Sequence, residues 1–175
     1  LSFDEPRPDT EEFYYYPNAI GGVPAIKIDS DGESGMLKIS NVHFLNNIEE
    51  FTFFMVEVRE NNEALDPFFV CKNESNDSVM KLALPSINNG EPRIIAYIAS
   101  DVNASIISYK IYINAQEQSS DQNTISGSNI DYCLIGNGGY KGKISEIIFL
   151  SKKIDENAFD AIHEYLSRKY SIELN

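Results

Sequence analysis

Between residues 24 and 150 the chain is a succession of short β-branched and aromatic runs, at 24–28, 36–40, 50–59, 68–72, 78–84, 93–99, 104–113, 130–135 and 143–150. Clusters of turn residues separate them, among them Asn88-Asn89-Gly90 and Gly136-Asn137-Gly138-Gly139. No helical period intervenes, and parallel strands need crossovers of a dozen or more residues. The pairing is therefore antiparallel, and the fold class is all-β, a sandwich or a barrel.

Alternation within the runs says which residues share a face. In 105–114, Ile107, Tyr109, Ile111 and Ile113 fall on one side, and Ile106, Ser108, Lys110 and Tyr112 on the other. In 50–59 both sides are mostly apolar: Phe51, Phe53, Met55 and Glu57 against Thr52, Phe54, Val56 and Val58. That pattern predicts a central strand, covered on both faces. The period changes at the C-terminus, where Phe159, Ile162, Leu166 and Tyr170 form one stripe of an amphipathic helix over 155–170. Asp155 is placed to cap it, and Arg168 and Lys169 occupy the end that the helix dipole favours for cations. Residues 1–17, with two Pro6- and Pro8-type breaks and an aromatic cluster, read as an arm or a weak first strand ahead of one domain, 18–175. A chain of 175 residues holds about one domain. It opens on Leu1 rather than Met, as expected of a piece of a longer protein.

Charge narrows the partners. Against 14 Lys and Arg stand 27 Asp and Glu, a net −13, and no basic run offsets this locally. Such a surface repels phosphate backbones, so no nucleic-acid partner is expected. No apolar stretch approaches the roughly 20 residues of a membrane helix, so no membrane insertion is expected either. Cys71 and Cys133 leave two readings open, a single disulfide or two buried thiols.

Three stretches resemble a known family. Residues 18–40, with Gly21-Gly22-Val23-Pro24-Ala25 leading into Met36-Leu37-Lys38, are similar to the entry strands of concanavalin A-like, laminin-G-type jelly-roll domains. Residues 50–59 resemble the aromatic strand that follows there. Gly139-Tyr140-Lys141-Gly142-Lys143-Ile144 and its continuation into the helix resemble the last strand and closing helix of such domains in phage structural and bacterial secreted proteins. Two positions depart from the pattern: the hairpin that carries glycine after asparagine in many members reads Asn114-Ala115, and the glycine near the helix end is replaced in Tyr170-Ser171. The resemblance implies an antiparallel jelly-roll β-sandwich with one C-terminal α-helix, a fold that hosts lectins, glycosidases and purely structural modules.

Chemistry has few candidates. A glycosidase needs two carboxylates about 5–5.5 or 6.5–9.5 Å apart, and the paired-acid strand motif that the resemblance would carry is absent. Glu57 and Glu60 would lie on opposite faces of a strand, and no catalytic residue is expected. His43 and His163 have no partners at the spacing of a zinc site or a nucleophile triad. Asp29, Asp31 and Glu33 alternate in a glycine-bearing turn and are the candidate metal ligands, for Ca2+, although glycine sits at the fourth position and not at the sixth of a calcium loop. Sugar platforms commonly use Trp, which this chain lacks, so tyrosine would substitute. Tyr14, Tyr15 and Tyr16, together with Asn137 and Tyr140 in the glycine-rich loop, are the candidate ligand-binding residues; packing inside the sheets would explain the tyrosines as well. The polar stretches 72–78 and 116–124 read as exposed loops.

The expected function is a non-catalytic binding module of a larger virion-surface or secreted protein, with a glycan or host-surface receptor and neighbouring proteins of an assembly as partners. A ligand-free structural or oligomerisation domain is the alternative, and a glycoside hydrolase of the same fold a third.

Overall fold

The structure, a computed structural model, describes residues 13–29, 36–40, 42–46, 48–60, 65–84, 90–100, 106–124, 129–136 and 139–174. Eleven strands are described: β1 (Phe13–Ile20), β2 (Val23–Asp29), β3 (Leu37–Ser40), β4 (Phe51–Arg59), β5 (Leu65–Lys72), β6 (Ser78–Leu84), β7 (Pro92–Ser100), β8 (Ile106–Ile113), β9 (Gln116–Thr124), β10 (Tyr132–Ile135) and β11 (Lys141–Leu150). A 3-10 turn (His43–Leu45) precedes β4, and the helix α1 (Glu156–Tyr170) closes the chain. Seven strands form one sheet in the order β1-β2-β11-β4-β7-β8-β9, and four form a second, β3-β10-β5-β6. Every pairing is antiparallel. The molecule is an all-β sandwich with a single C-terminal helix, as the strand rhythm and the final change of period predict.

Strand β4 lies in the middle of the larger sheet and is buried along nearly its whole length. Phe51, Phe53 and Met55 point into the core between the sheets, with Ile95 and Tyr97 of β7 and Phe69, Cys71 and Leu82 of the smaller sheet. Phe54 and Val56 point the other way, with Ile94 and Ala96, into a second core under α1 formed by Phe159, Leu166 and Tyr170. The sandwich thus has three layers, four-stranded sheet, seven-stranded sheet and helix, and the apolar pattern on both faces of 50–59 follows from it. Tyr97, buried on the inner side, donates its hydroxyl hydrogen to the Ala83 carbonyl of β6 at 2.6 Å, a bond that ties the two sheets.

The helix docks as its sequence directs. Asp155 caps it, accepting from the Ala158 N–H at 2.8 Å. At the other end Glu146 of β11 accepts from the Tyr170 hydroxyl at 2.8 Å and from Lys169 at 2.9 Å. Gly21, at φ 56°, lies so close to the backbone of Tyr170 that a Cβ there would collide with it. His163, not Ile162, takes the fully buried place beside Phe159.

The polar segment 116–124 is not a loop: it is the edge strand β9, paired with β8 through a two-residue turn at Asn114-Ala115. A strand at a sheet edge keeps solvent on its flank and borrows its register from the neighbour, so polar residues suffice. At the N-terminus, where the sequence reads as an arm or a weak first strand, β1 is a strand over Phe13–Ile20 and pairs with β2. Cys71 of β5 and Cys133 of β10 face each other across the smaller sheet and are joined as a disulfide, inside the core.

Candidate functional site

The outer face of the larger sheet, beside the helix, carries a groove of about 600 Å³, within the range of about 300–1,000 Å³ typical of ligand sites. Its floor is the face of β8 that the alternation separates from the core: Ser108, Lys110 and Tyr112. Cross-strand register extends that floor into rows. Ser100 stands opposite Ser108, and Ile98 opposite Lys110, which in turn stands opposite Ser120 of β9. Tyr112 closes one end, its ring edge-on to Phe159 at 4.8 Å. Lys153, from the connection between β11 and α1, forms the wall.

Thr52 of β4 sets the position of that wall. It lies next to Ile98 in the same row and is fully buried. Its hydroxyl donates to the Lys152 carbonyl at 3.0 Å and accepts from the Ile154 N–H at 3.3 Å, which pins the segment containing Lys153 onto the sheet. Glu117 holds the opposite side, taking Lys110 at 2.7 Å and the Tyr112 hydroxyl at 3.4 Å. That carboxyl is held below its usual range by Lys110, and Lys110 is raised in turn. The groove offers hydroxyls, ammonium groups and one aromatic ring, the groups that hold a polar, hydroxyl-rich ligand.

The residues singled out in the sequence scatter. In the edge strand β1, Tyr15 projects from one face and is 56% exposed, while Tyr14 and Tyr16 share the other; Tyr16 is 38% exposed, with Lys143 over its ring at 5.1 Å. Packing on both faces therefore does not account for Tyr15 and Tyr16, whereas Tyr14 is half-buried. Tyr140 is inside the core against Phe68, ring centroids 5.1 Å apart, so its ring meets no ligand from solvent. Asn137 lies outside the described residues, as do Asp31 and Glu33. Asp29 ends β2, with Lys141 at 3.1 Å. Among the described residues no group of three or more His, Cys, Asp or Glu side chains is placed to hold a metal ion. The stretch 72–78 turns between β5 and β6, closed by its own side chains: Asn73 accepts from the Asp77 N–H at 2.8 Å, and Asn76, at φ 67°, accepts from Lys72 at 3.0 Å and also from the Tyr132 hydroxyl of β10 at 2.6 Å.

The inner face of β4 also carries a buried ionic cluster that alternation alone does not reveal. Glu57 and Arg59 share the inner face of β4, both fully buried and 3.3 Å apart, and Arg93 stands opposite Glu57 on β7. Burial pushes the Glu57 carboxyl up, against the pull of Arg59, and it pushes the Tyr140 hydroxyl up as well. Gly142 leaves room for that hydroxyl, since a Cβ would sit 2.8 Å from it. Glu60, on the opposite face, pairs with Lys27 at 2.9 Å. The alternation in 50–60 places the two glutamates on opposite faces, and the structure agrees. Nothing in the alternation says that Arg93 would meet Glu57, because that contact depends on the register between strands. The groove was half visible in the same way: Ser108, Lys110 and Tyr112 emerge as a face, whereas Thr52 and Lys153 join them only through the pairing of strands.

No protein-family model matches the sequence, and no curated protein matches it. Solved structures do share the fold. Domain 4 of AbnA, a GH43 extracellular arabinanase from Geobacillus stearothermophilus solved in complex with arabinotriose, superposes with a TM-score of 0.60 at 12% identity, over 96% of this chain and 84% of that one. The CBM40 of the Ruminococcus gnavus IT-sialidase, bound to α2,3 sialyllactose, gives 0.50 at 12%, over 87% and 97%. The receptor binding domain of botulinum neurotoxin type G gives 0.55 at 12%, over 88% of this chain and 44% of that chain. At these identities the likeness is one of fold.

Proposed function

We propose that the chain is a non-catalytic glycan-binding module of concanavalin A-like, laminin-G type, carried by a larger secreted or virion-surface protein. The observation that carries this reading is the groove on the outer face of the seven-stranded sheet, where serine hydroxyls, the Tyr112 ring and two lysines converge on one concavity. Neighbours of the same fold that were solved with arabinotriose and with sialyllactose support it. The placement of Glu57 and Glu60 on opposite faces, one sealed against Arg59 and the other exposed beside Lys27, supports the non-catalytic part. The disulfide supports an extracellular setting, since such bonds persist in oxidising compartments. The resemblance of the last strand and closing helix to phage structural proteins is what favours a virion among those settings.

A glycan array probed with the chain, with and without Ca2+, tests the reading. Retention of at least one glycan class is expected, and Ser120→Trp, which fills the groove from the polar edge strand without touching the core, should abolish it. An empty array in both conditions, or binding that survives Ser120→Trp, would reject the groove as a glycan site.

A second reading, an assembly contact, is favoured by strand β1. Among the described residues β1 is an edge strand of the seven-stranded sheet with Tyr15 mostly exposed, and such an edge offers backbone groups and an aromatic ring to a neighbouring chain. Light scattering decides it: an oligomer that Tyr15→Ser dissolves would support it, and a monomer at high concentration would end it.

A further inference from the structure

One wall of the groove carries a positive charge that nothing in the described structure neutralises. In this acidic chain, lysines near carboxylates are captured: Lys27 by Glu60 at 2.9 Å, Lys110 by Glu117 at 2.7 Å, Lys141 by Asp29 at 3.1 Å and Lys169 by Glu146 at 2.9 Å. Lys153 has no carboxylate partner among the described residues. It is not at the end of a loose loop. The residues on either side of it are bonded through their backbones to the buried Thr52 hydroxyl, so its Cα is held beside the row made by Ile98, Lys110 and Ser120. On the far side Lys110 is already compensated by Glu117. Among the described residues the uncompensated charge of the concavity is therefore that of Lys153, and its natural counterpart is an anion on the ligand.

We infer that the groove takes a sugar bearing a carboxylate, a sialic or a hexuronic acid, with the carboxylate at the Lys153 ammonium. The inference rests on the glycan reading above and deepens it. Ser100 and Ser108, side by side across β7 and β8, meet the ring hydroxyls, and Tyr112 and Ile98 supply the apolar surface for the ring itself. A charge-assisted hydrogen bond is shorter and stronger than a neutral one, and a wall of protein on one side reduces the solvent screening that weakens exposed pairs. An acidic surface elsewhere repels anions at long range, so selectivity of this kind must come from a local cation. Lys153 supplies it.

The test is isothermal titration of the full chain with α2,3-sialyllactose, with a galacturonic acid trisaccharide, and with the neutral sugars lactose and arabinotriose. At least one acidic sugar should bind roughly tenfold or more tightly than either neutral sugar, the scale of one hydrogen bond to a charged group. Which acidic sugar does so identifies the source of the carboxylate. Lys153→Ala should remove that preference, and Lys152→Ala, which deletes the same charge one residue away from the groove, should keep it. Raising the salt should weaken the acidic sugar and spare the neutral ones. Neutral sugars bound as tightly as acidic ones, with Lys153→Ala indistinguishable from the parent, would overturn the inference and leave glycan binding standing. No affinity for any sugar, here or on the array, would overturn both.

Discussion

Ala115 has a left-handed backbone, φ 70°, beside Asn114 at 48°, in the two-residue turn between β8 and β9. Such turns demand positive φ at both positions, which asparagine adopts at less cost than alanine, whose Cβ crowds the following carbonyl. Ser171, at φ 54°, ends the helix in the same conformation, with its N–H bonded to the Ser167 carbonyl. These are the two positions at which the family resemblance expects glycine. The departures from that pattern leave the geometry unchanged and place non-glycine residues in it. Ala115→Gly and Ser171→Gly should therefore each raise stability by about 1 kcal/mol, read as a rise of a few degrees in Tm; a fall in Tm would show that the turn does not need positive φ. Asn114 itself is doubly committed, its side chain accepting from the Ile94 N–H at 2.9 Å.

At the scale of elements, helix α1 depends on a histidine that is not part of the apolar stripe Phe159, Ile162, Leu166 and Tyr170. His163 is buried, its ring 4.2 Å from that of Phe159 and 5.1 Å from that of Phe54. Its Nδ1 lies 3.1 Å from the Phe159 carbonyl, which can only accept, so Nδ1 carries the proton of the neutral ring. Burial lowers the pKa of His163 below the usual 6.5, opposed by the hydrogen bond to the Phe159 carbonyl and by the nearby Asp160. A base with a depressed folded pKa is neutral in the fold and takes up its proton more readily when unfolded. Its contribution is fully present above about pH 6.5 and is lost as the pH falls through the folded value. Chemical unfolding should show stability declining between pH 7.5 and 5 more steeply in the parent than in His163→Leu; parallel curves would mean that His163 does not titrate with folding. Strand β9 has no local signal of its own. Its residues, Gln116 to Ser120 exposed along their length, carry no apolar period, and only pairing to β8 makes them a strand.

The whole molecule is held by contacts between distant parts of the chain. The disulfide joins residues 62 apart in sequence within the smaller sheet. Closing a loop of that length restricts the unfolded chain by about 4 kcal/mol in the chain-entropy account. Cys71→Ala/Cys133→Ala should thus lower Tm by on the order of 10 °C; calorimetry showing an unchanged Tm would refute this. By itself the sequence determined the all-β class, the antiparallel pairing, the burial of β4 on both faces and the closing helix. Each of these follows from a local period: residues two apart share a face of a strand, and residues three or four apart share a face of a helix. Only the tertiary structure decided that Cys71 meets Cys133, that Tyr140 lies in the core while Tyr15 faces outward, and that Arg93 stands opposite Glu57. It alone brought Lys153 over Ser108 and Ile98, through a threonine a hundred residues away from its partner Lys152. A period reports which residues share a face of one element, whereas strand order and register decide what lies across from that face, and both depend on the packing of the whole chain.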